Sequence, residues 1–107
     1  MPATQLKTEI LALDGEIDLH RSPEIKERLQ PFIQRKVPRL LLDLSGVTYM
    51  DSSGLAVVIE ALQHVLGYGG RFGLFGLQDG VRSIFEIARL DQVFEIFRDE
   101  AAALGGN

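Results

Sequence analysis

The sequence of 107 residues contains no cysteine. This absence excludes disulfide bonds, thiolate catalysis and zinc sites built on cysteine ligands. Basic residues are also few, since 11 Lys and Arg stand against 15 Asp and Glu for a formal net charge of −4. We therefore expect no direct nucleic-acid partner, because phosphate binding needs a basic face. No apolar stretch approaches the roughly 20 residues that cross a bilayer, so we expect no membrane span.

The composition that remains is that of one globular domain. Hydrophobic residues make up 46% of the chain and charged residues 24%, and this length suits a single core. We expect residues 1–107 to form one domain. Residues 1–5 show no basic region followed by an apolar run, so the sequence predicts no signal peptide and a cytoplasmic location.

The first third of the chain reads as strand, turn, strand and helix. Residues 7–13 become apolar as a strand does on entering a core, and Asp14-Gly15 is a turn signal, so we expect a short antiparallel pair there. Ser22-Pro23-Glu24 predicts a helix start with the Ser22 hydroxyl as cap. Pro31 predicts a kink, or an early end of this helix near Leu29.

The rest of the chain alternates strands and helices. Residues 39–44 form an apolar run typical of a central strand buried on both faces, which Ser45-Gly46 is expected to end. The next helix carries an apolar stripe of Leu55, Val58, Ile59, Leu62 and Leu66.

Three further elements complete the alternation. They are a strand over 71–77, a helix capped by Asp79 with Val81, Ile84, Phe85 and Ala88 on its inner face, and a strand over 94–97. Asp99 can cap a short terminal helix. The pattern predicts an α/β fold with a single mixed, largely parallel β-sheet packed with about four α-helices.

Several catalytic or cofactor sites are disfavoured by spacing. The glycine-rich residues 67–73 follow a helix and precede a strand, the reverse of a phosphate-binding loop. His20 and His64 are far apart and are expected at the surface. A Ser-His-Asp triad using Ser52 lacks the G-x-S-x-G elbow. We therefore predict no catalytic residue, no metal site and no cofactor.

The turn Asp51-Ser52-Ser53-Gly54 remains. A buried strand ends there and an amphipathic helix begins, so plain helix capping by Asp51 or Ser52 explains the residue types. Ala56 and Val57, which we place with Ala61 and His64 opposite the core stripe, add apolar surface beside the hydroxyl pair. Such a patch is suited to docking by another protein.

At these residues the chain resembles a known family. The run 43–55 (DLSGVTYMDSSGL) closely resembles the core motif of the STAS domain, and most of all that of bacterial anti-sigma factor antagonists. Residues 15–18 (GEID) are similar to the family's second short motif, and residues 79–97 to its C-terminal third.

The resemblance implies a binding module rather than an enzyme. Such proteins bind an anti-sigma factor with serine kinase activity and so release a sigma factor. The kinase phosphorylates the serine after the motif aspartate, here Ser52, and a phosphoserine phosphatase restores it. Asp51 would hold the Ser52 hydroxyl or shape the docking loop, and Asp18 would lie on a neighbouring loop. The expected partner-binding residues are Asp18, Asp51, Ser53, Gly54, Ala56 and Val57.

Family members usually begin with a fuller hairpin than the fourteen residues before Gly15 allow. We expect a short or absent first edge strand, and an uncovered edge invites a homodimer. Two alternatives stay open. One is a STAS module of another assembly, either a lipid-transport accessory subunit or a stress-signalling scaffold. The other is a small enzyme or nucleotide-binding protein that uses the 51–54 turn.

Overall fold

A parallel sheet of four strands organises the fold. The structure, a computed structural model, describes residues 7–105. Residues 1–6, which include the segment examined for a signal peptide, and 106–107 lie outside the described residues. The strands follow one another across the sheet in chain order, and each pairs in parallel with the next. They are β1 (Thr8–Ile17), β2 (Arg39–Met50), β3 (Arg71–Phe75) and β4 (Glu95–Phe97).

Four α-helices connect or follow these strands, so the α/β fold class predicted from the sequence is confirmed. They are α1 (Ser22–Gln34), α2 (Ser52–Gly67), α3 (Asp79–Ile87) and α4 (Glu100–Gly105), and a 3₁₀ turn covers Leu90–Gln92. Ala102 N–H donates to the Asp99 carboxylate at 2.9 Å. The predicted cap of the terminal helix is therefore confirmed.

The central strand β2 is buried on both faces, as its apolar run predicts. Leu40, Leu42 and Leu44 belong to the larger core cluster, which also contains buried residues of α1, α2 and α3. Leu41 points to the other face, where it packs with Phe75 and with Ala103 of α4. Alternate residues of a strand face opposite sides, so an unbroken apolar run needs cover on both.

The expected antiparallel pair at Asp14-Gly15 is wrong. Both residues lie inside β1, which pairs in parallel with β2 through two register shifts. Gly15 has φ +72°, and the Arg21 guanidinium donates to the carbonyls of Asp14 and Glu16. Gly15 thus forms an irregularity within one strand and not a turn between two strands. Ser45-Gly46 likewise does not end β2, which continues to Met50.

The predictions for the helix ends of α1 need two corrections. Arg21, not Ser22, is the N-cap, and the Ser22 hydroxyl donates to the Leu19 carbonyl at 3.2 Å. The helix also passes through Pro31 to Gln34 instead of ending near Leu29. A proline inside a helix costs about 3 kcal/mol. Phe32 and Ile33 pack against the core and offset that cost.

Helix α3 also differs in detail from the expectation. Its N-cap is Gln78, and Asp79 lies in the first turn without a capping hydrogen bond. Val81 and Phe85 are buried and Ile84 packs against the core, but Ala88 is exposed because the helix has ended before it.

Candidate functional site

The carboxyl ends of β1 and β2 bring two sequence-predicted site residues to one edge of the sheet. Asp18 follows Ile17, Asp51 follows Met50, and Ile17 and Met50 are register partners. Asp51 N–H donates to the Ile17 carbonyl at 3.2 Å. Loops beyond the carboxyl ends of parallel strands are where such folds place binding sites, and both aspartates lie there.

Asp51 joins the two loops through backbone hydrogen bonds. Its Oδ1 accepts from the N–H groups of Ser53 at 2.9 Å and Gly54 at 3.1 Å, so it is the N-cap of α2. Its Oδ2 accepts from Leu19 N–H at 3.3 Å. Two roles were expected for Asp51, holding the Ser52 hydroxyl or shaping the loop. The hydrogen bonds in the structure hold the backbone of both loops, and the part that Asp51 plays in docking stays a prediction.

Ser52 is the first residue of α2 and is exposed, whereas Ser53 is half-buried. Within residues 7–105 the Ser52 hydroxyl has no hydrogen-bond partner. The hydroxyl is therefore open to approach from outside. It also lies at the positive end of the helix dipole, which favours a negative group.

Gly54 is buried at the point where α2 begins. A Cβ added there would lie 2.7 Å from the Ile17 carbonyl oxygen and 2.8 Å from Met50 Cγ. Only glycine lets the first turn of α2 approach β1 this closely. The structure thus gives Gly54 a packing role, and its contact with a partner stays a prediction.

The predicted stripe of α2 is shifted around the helix. Its buried residues are Gly54, Val58, Ala61, Leu62 and Val65. Leu66, expected inside, is 54% exposed, and Ala61, expected outside, is 2% exposed. Leu55 and Ile59 are only partly buried. The small residues Gly54 and Ala61 face the core because the helix approaches it closely. A prediction that looks for large apolar side chains on the buried face misses such positions.

The predicted apolar patch beside Ser52 is consequently smaller than expected. Ala56 is exposed, one helical turn beyond Ser52 on the same face. Val57 is half-buried, packs against the core and lines a shallow groove between α1 and α2 with Ala61 and His64. Ala56 is the more exposed of the two patch residues, and the contact of either with a partner stays a prediction.

Leu19 lies on the same loop as Asp18 and was not singled out in the sequence analysis. It lies between Asp18 and the exposed His20 and is 72% exposed. Asp18 forms the turn around it: its carbonyl accepts from Ser22 N–H at 2.9 Å and its Oδ1 from Arg21 N–H at 3.1 Å. A leucine in the polar run after β1 was the available signal.

The sequence matches the model of a known protein family. The STAS domain model matches residues 2–103. The chain belongs to the STAS domain family. Residues 15–18 and 43–55, which resemble the family motifs, contain the carboxyl ends of β1 and β2 and the start of α2. In the part of the STAS domain that the structure describes, no helix has the length and apolar character needed to cross a membrane.

Several similar proteins are named anti-sigma factor antagonists. The anti-sigma-B factor antagonist of Listeria monocytogenes is 37% identical over 93 residues, which cover 87% of this STAS domain and 82% of that protein. An anti-sigma factor antagonist from Mycobacterium paratuberculosis has a TM-score of 0.85 at 23% identity, over 92% of this chain and 84% of that one. The phosphorylated form of the Bacillus cell fate determinant SpoIIAA has a TM-score of 0.70 at 22% identity, over 96% and 98%. The two solved structures share the fold.

Proposed function

We propose that this STAS domain is an anti-sigma factor antagonist that is switched off by phosphorylation of Ser52. It binds an anti-sigma factor and thereby releases a sigma factor. One observation carries the proposal: the Ser52 hydroxyl is exposed and unpaired within the described residues, on a helix start that Asp51 and Gly54 hold in place. The name of the Listeria relative supports the same role.

The proposal includes the partners that the family resemblance implies. The anti-sigma factor has serine kinase activity, and a separate phosphatase restores the serine. The protein acts as a single binding domain in the cytoplasm, where sigma factors direct transcription, and not as a catalyst. Asp18, Asp51, Ser53, Gly54, Ala56 and Val57 form or support the docking surface. The outer edge of β1 is the surface for self-association if the protein is a homodimer.

Phosphorylation acts on the complex far more than on the fold. A phosphate adds about −1.5 to −2 charges. The helix dipole favours it by ~0.3–1 kcal/mol, while the Asp51 carboxylate opposes it by about 1 kcal/mol per charge pair at ~4 Å in water. The net change in the free energy of unfolding is therefore only about 1 kcal/mol. Burying the same charge in an interface that accepts a neutral hydroxyl costs several kcal/mol, or two to three decades of affinity at ~1.4 kcal/mol per decade.

The test starts from partner capture. The immobilised protein retains proteins from an extract of its own organism, and mass spectrometry identifies them. We expect an ATP-binding anti-sigma factor, which is then purified and incubated with the protein and ATP. Peptide mass spectrometry should place the phosphate on Ser52.

Matched variants make the test specific. Ser52→Ala should bind the kinase and resist phosphorylation, whereas Ser53→Ala keeps the Ser52 hydroxyl and should still be phosphorylated there. Phosphate on Ser53 would overturn the switch. Recovery of a lipid-transport subunit or a stress-signalling scaffold instead would favour the other STAS assemblies. Ester hydrolysis or nucleotide binding by the protein alone would favour the enzyme or nucleotide-binding alternative.

A further inference from the structure

A large apolar side chain lies exposed on a loop whose backbone is hydrogen-bonded to Asp51, the residue before Ser52. Leu19 is 72% exposed. Its N–H donates to Asp51 Oδ2 at 3.3 Å, and its carbonyl accepts from the Ser22 hydroxyl at 3.2 Å. Single exposed apolar residues are common at protein surfaces. Leu19 differs because both of its backbone polar groups are bonded, so the backbone that carries the side chain is held in one place.

The charges around this leucine are mainly acidic. Asp51 contacts the Leu19 N–H, and Asp18 precedes it. Arg21 lies two residues further along the chain, and its guanidinium is already paired with Asp14 at 3.8 Å and Glu24 at 3.3 Å. A surface that fits this loop therefore offers an apolar pocket with basic groups around its rim.

We propose that Leu19 is the apolar anchor of the docking surface around Ser52, and that Asp51 is the positioning residue that presents it. The inference rests on the proposed function, because the occupant is the anti-sigma factor kinase that must approach the Ser52 hydroxyl. An anchor whose backbone is already held loses less conformational entropy on binding than one on a free loop. Buried apolar anchors in partner pockets carry much of the energy of small interfaces.

The first experiment compares two exposed apolar residues. Leu19→Ala is matched with Ile87→Ala, since Ile87 is 82% exposed and ends α3, which leads away from the carboxyl edge of the sheet. Calorimetric titration with the purified kinase should show at least a tenfold loss of affinity for Leu19→Ala. The affinity of Ile87→Ala should stay within twofold of that of the wild type. Both variants should have the melting temperature of the wild type.

The second experiment isolates the part that Asp51 plays through Leu19. Asn at position 51 keeps an oxygen that can cap Ser53 and Gly54, but its NH₂ group cannot accept from Leu19 N–H. Asp51→Asn should speed amide hydrogen exchange at Leu19 more than at Ser53. It should lower affinity at least fivefold in the wild type, and less than twofold in the Leu19→Ala background. This non-additivity is the sign of action through Leu19.

The outcomes separate the anchor from the function. Wild-type affinity of Leu19→Ala, with Ser52 still phosphorylated by the same kinase, would overturn the anchor and leave the proposed function standing. Equal losses from Asp51→Asn in both backgrounds would overturn the positioning role. A wild-type protein that neither binds the kinase nor is phosphorylated by it would overturn the proposed function itself.

Discussion

The two ends of helix α2 differ in how tightly they pack against the rest of the fold. At its start, the Asp51 carboxylate caps two N–H groups, and a Cβ on Gly54 would lie under 3 Å from three atoms of β1 and β2. At its end, Leu66 is exposed and a Cβ added to Gly67 would meet nothing within 4 Å. One side-chain hydrogen bond holds that end, from the Tyr68 hydroxyl to the Val37 carbonyl at 2.7 Å. The first turn of α2 is therefore packed more tightly than its last turn.

The same substitution at both ends of α2 should have opposite effects. Gly54→Ala places a methyl group against the Ile17 carbonyl, and such overpacking should lower the free energy of unfolding by about 2–3 kcal/mol. Gly67→Ala has open space and should raise it by up to about 1 kcal/mol, because alanine favours the helix. Urea denaturation of both variants measures this difference. Equal effects would mean that the start of α2 is not tightly packed.

A charge on the exposed face of α2 should weaken partner binding only near its start. Ala56 and Gln63 are both exposed and lie two turns apart on one face. Ala56→Arg should cost about 2 kcal/mol in binding the anti-sigma factor, as losses at interface centres do. Gln63→Arg should leave affinity unchanged, and both variants should keep the wild-type melting temperature. Calorimetry that shows equal losses would place the docking surface elsewhere.

Removing the Asp51 cap tests how much the start of α2 contributes to stability. Asp51→Ala leaves the N–H groups of Ser53 and Gly54 without their acceptor, and should destabilise the fold by about 1–2 kcal/mol. Thermal unfolding followed by circular dichroism measures the loss. A melting temperature equal to that of the wild type would show that the cap contributes nothing.

The end of the helix should respond less, and should depend on pH. Tyr68→Phe removes the bond to Val37 and should cost about 1 kcal/mol. Burial raises the pKa of Tyr68 above its ordinary value of 10.0. The folded protein therefore keeps the proton when the unfolded chain loses it, so stability falls as pH rises above about 10. Urea denaturation between pH 9 and 11 should show a smaller fall for Tyr68→Phe, and an equal fall in both proteins would contradict this origin.

Local signals explain what the sequence predicted well. The buried strand β2 and the terminal helix after Asp99 follow from an apolar run and a cap, which need only neighbouring residues. The face of α2 could not be predicted in the same way, because Gly54 and Ala61 are inside only through the close approach of the helix to β1 and the core. The strand through Gly15 depends on Arg21, six residues away.

The residues of the candidate site also differ in how well the sequence predicted them. Ser52 was singled out by resemblance to a family motif, since capping alone explains a serine at a helix start. The apolar pattern placed Ala56 correctly outside but misjudged Val57, which packs against the core. Leu19 was found by neither, because its exposure and its bond to Asp51 arise from two loops that are far apart in the chain.

The central claim, that the start of α2 is a switch for binding, is tested most directly by one titration. The purified anti-sigma factor is titrated calorimetrically with the unphosphorylated protein and with protein phosphorylated at Ser52. The account predicts a loss of two to three decades of affinity, with a change in the free energy of unfolding of only about 1 kcal/mol. Equal affinity of the two forms would contradict it.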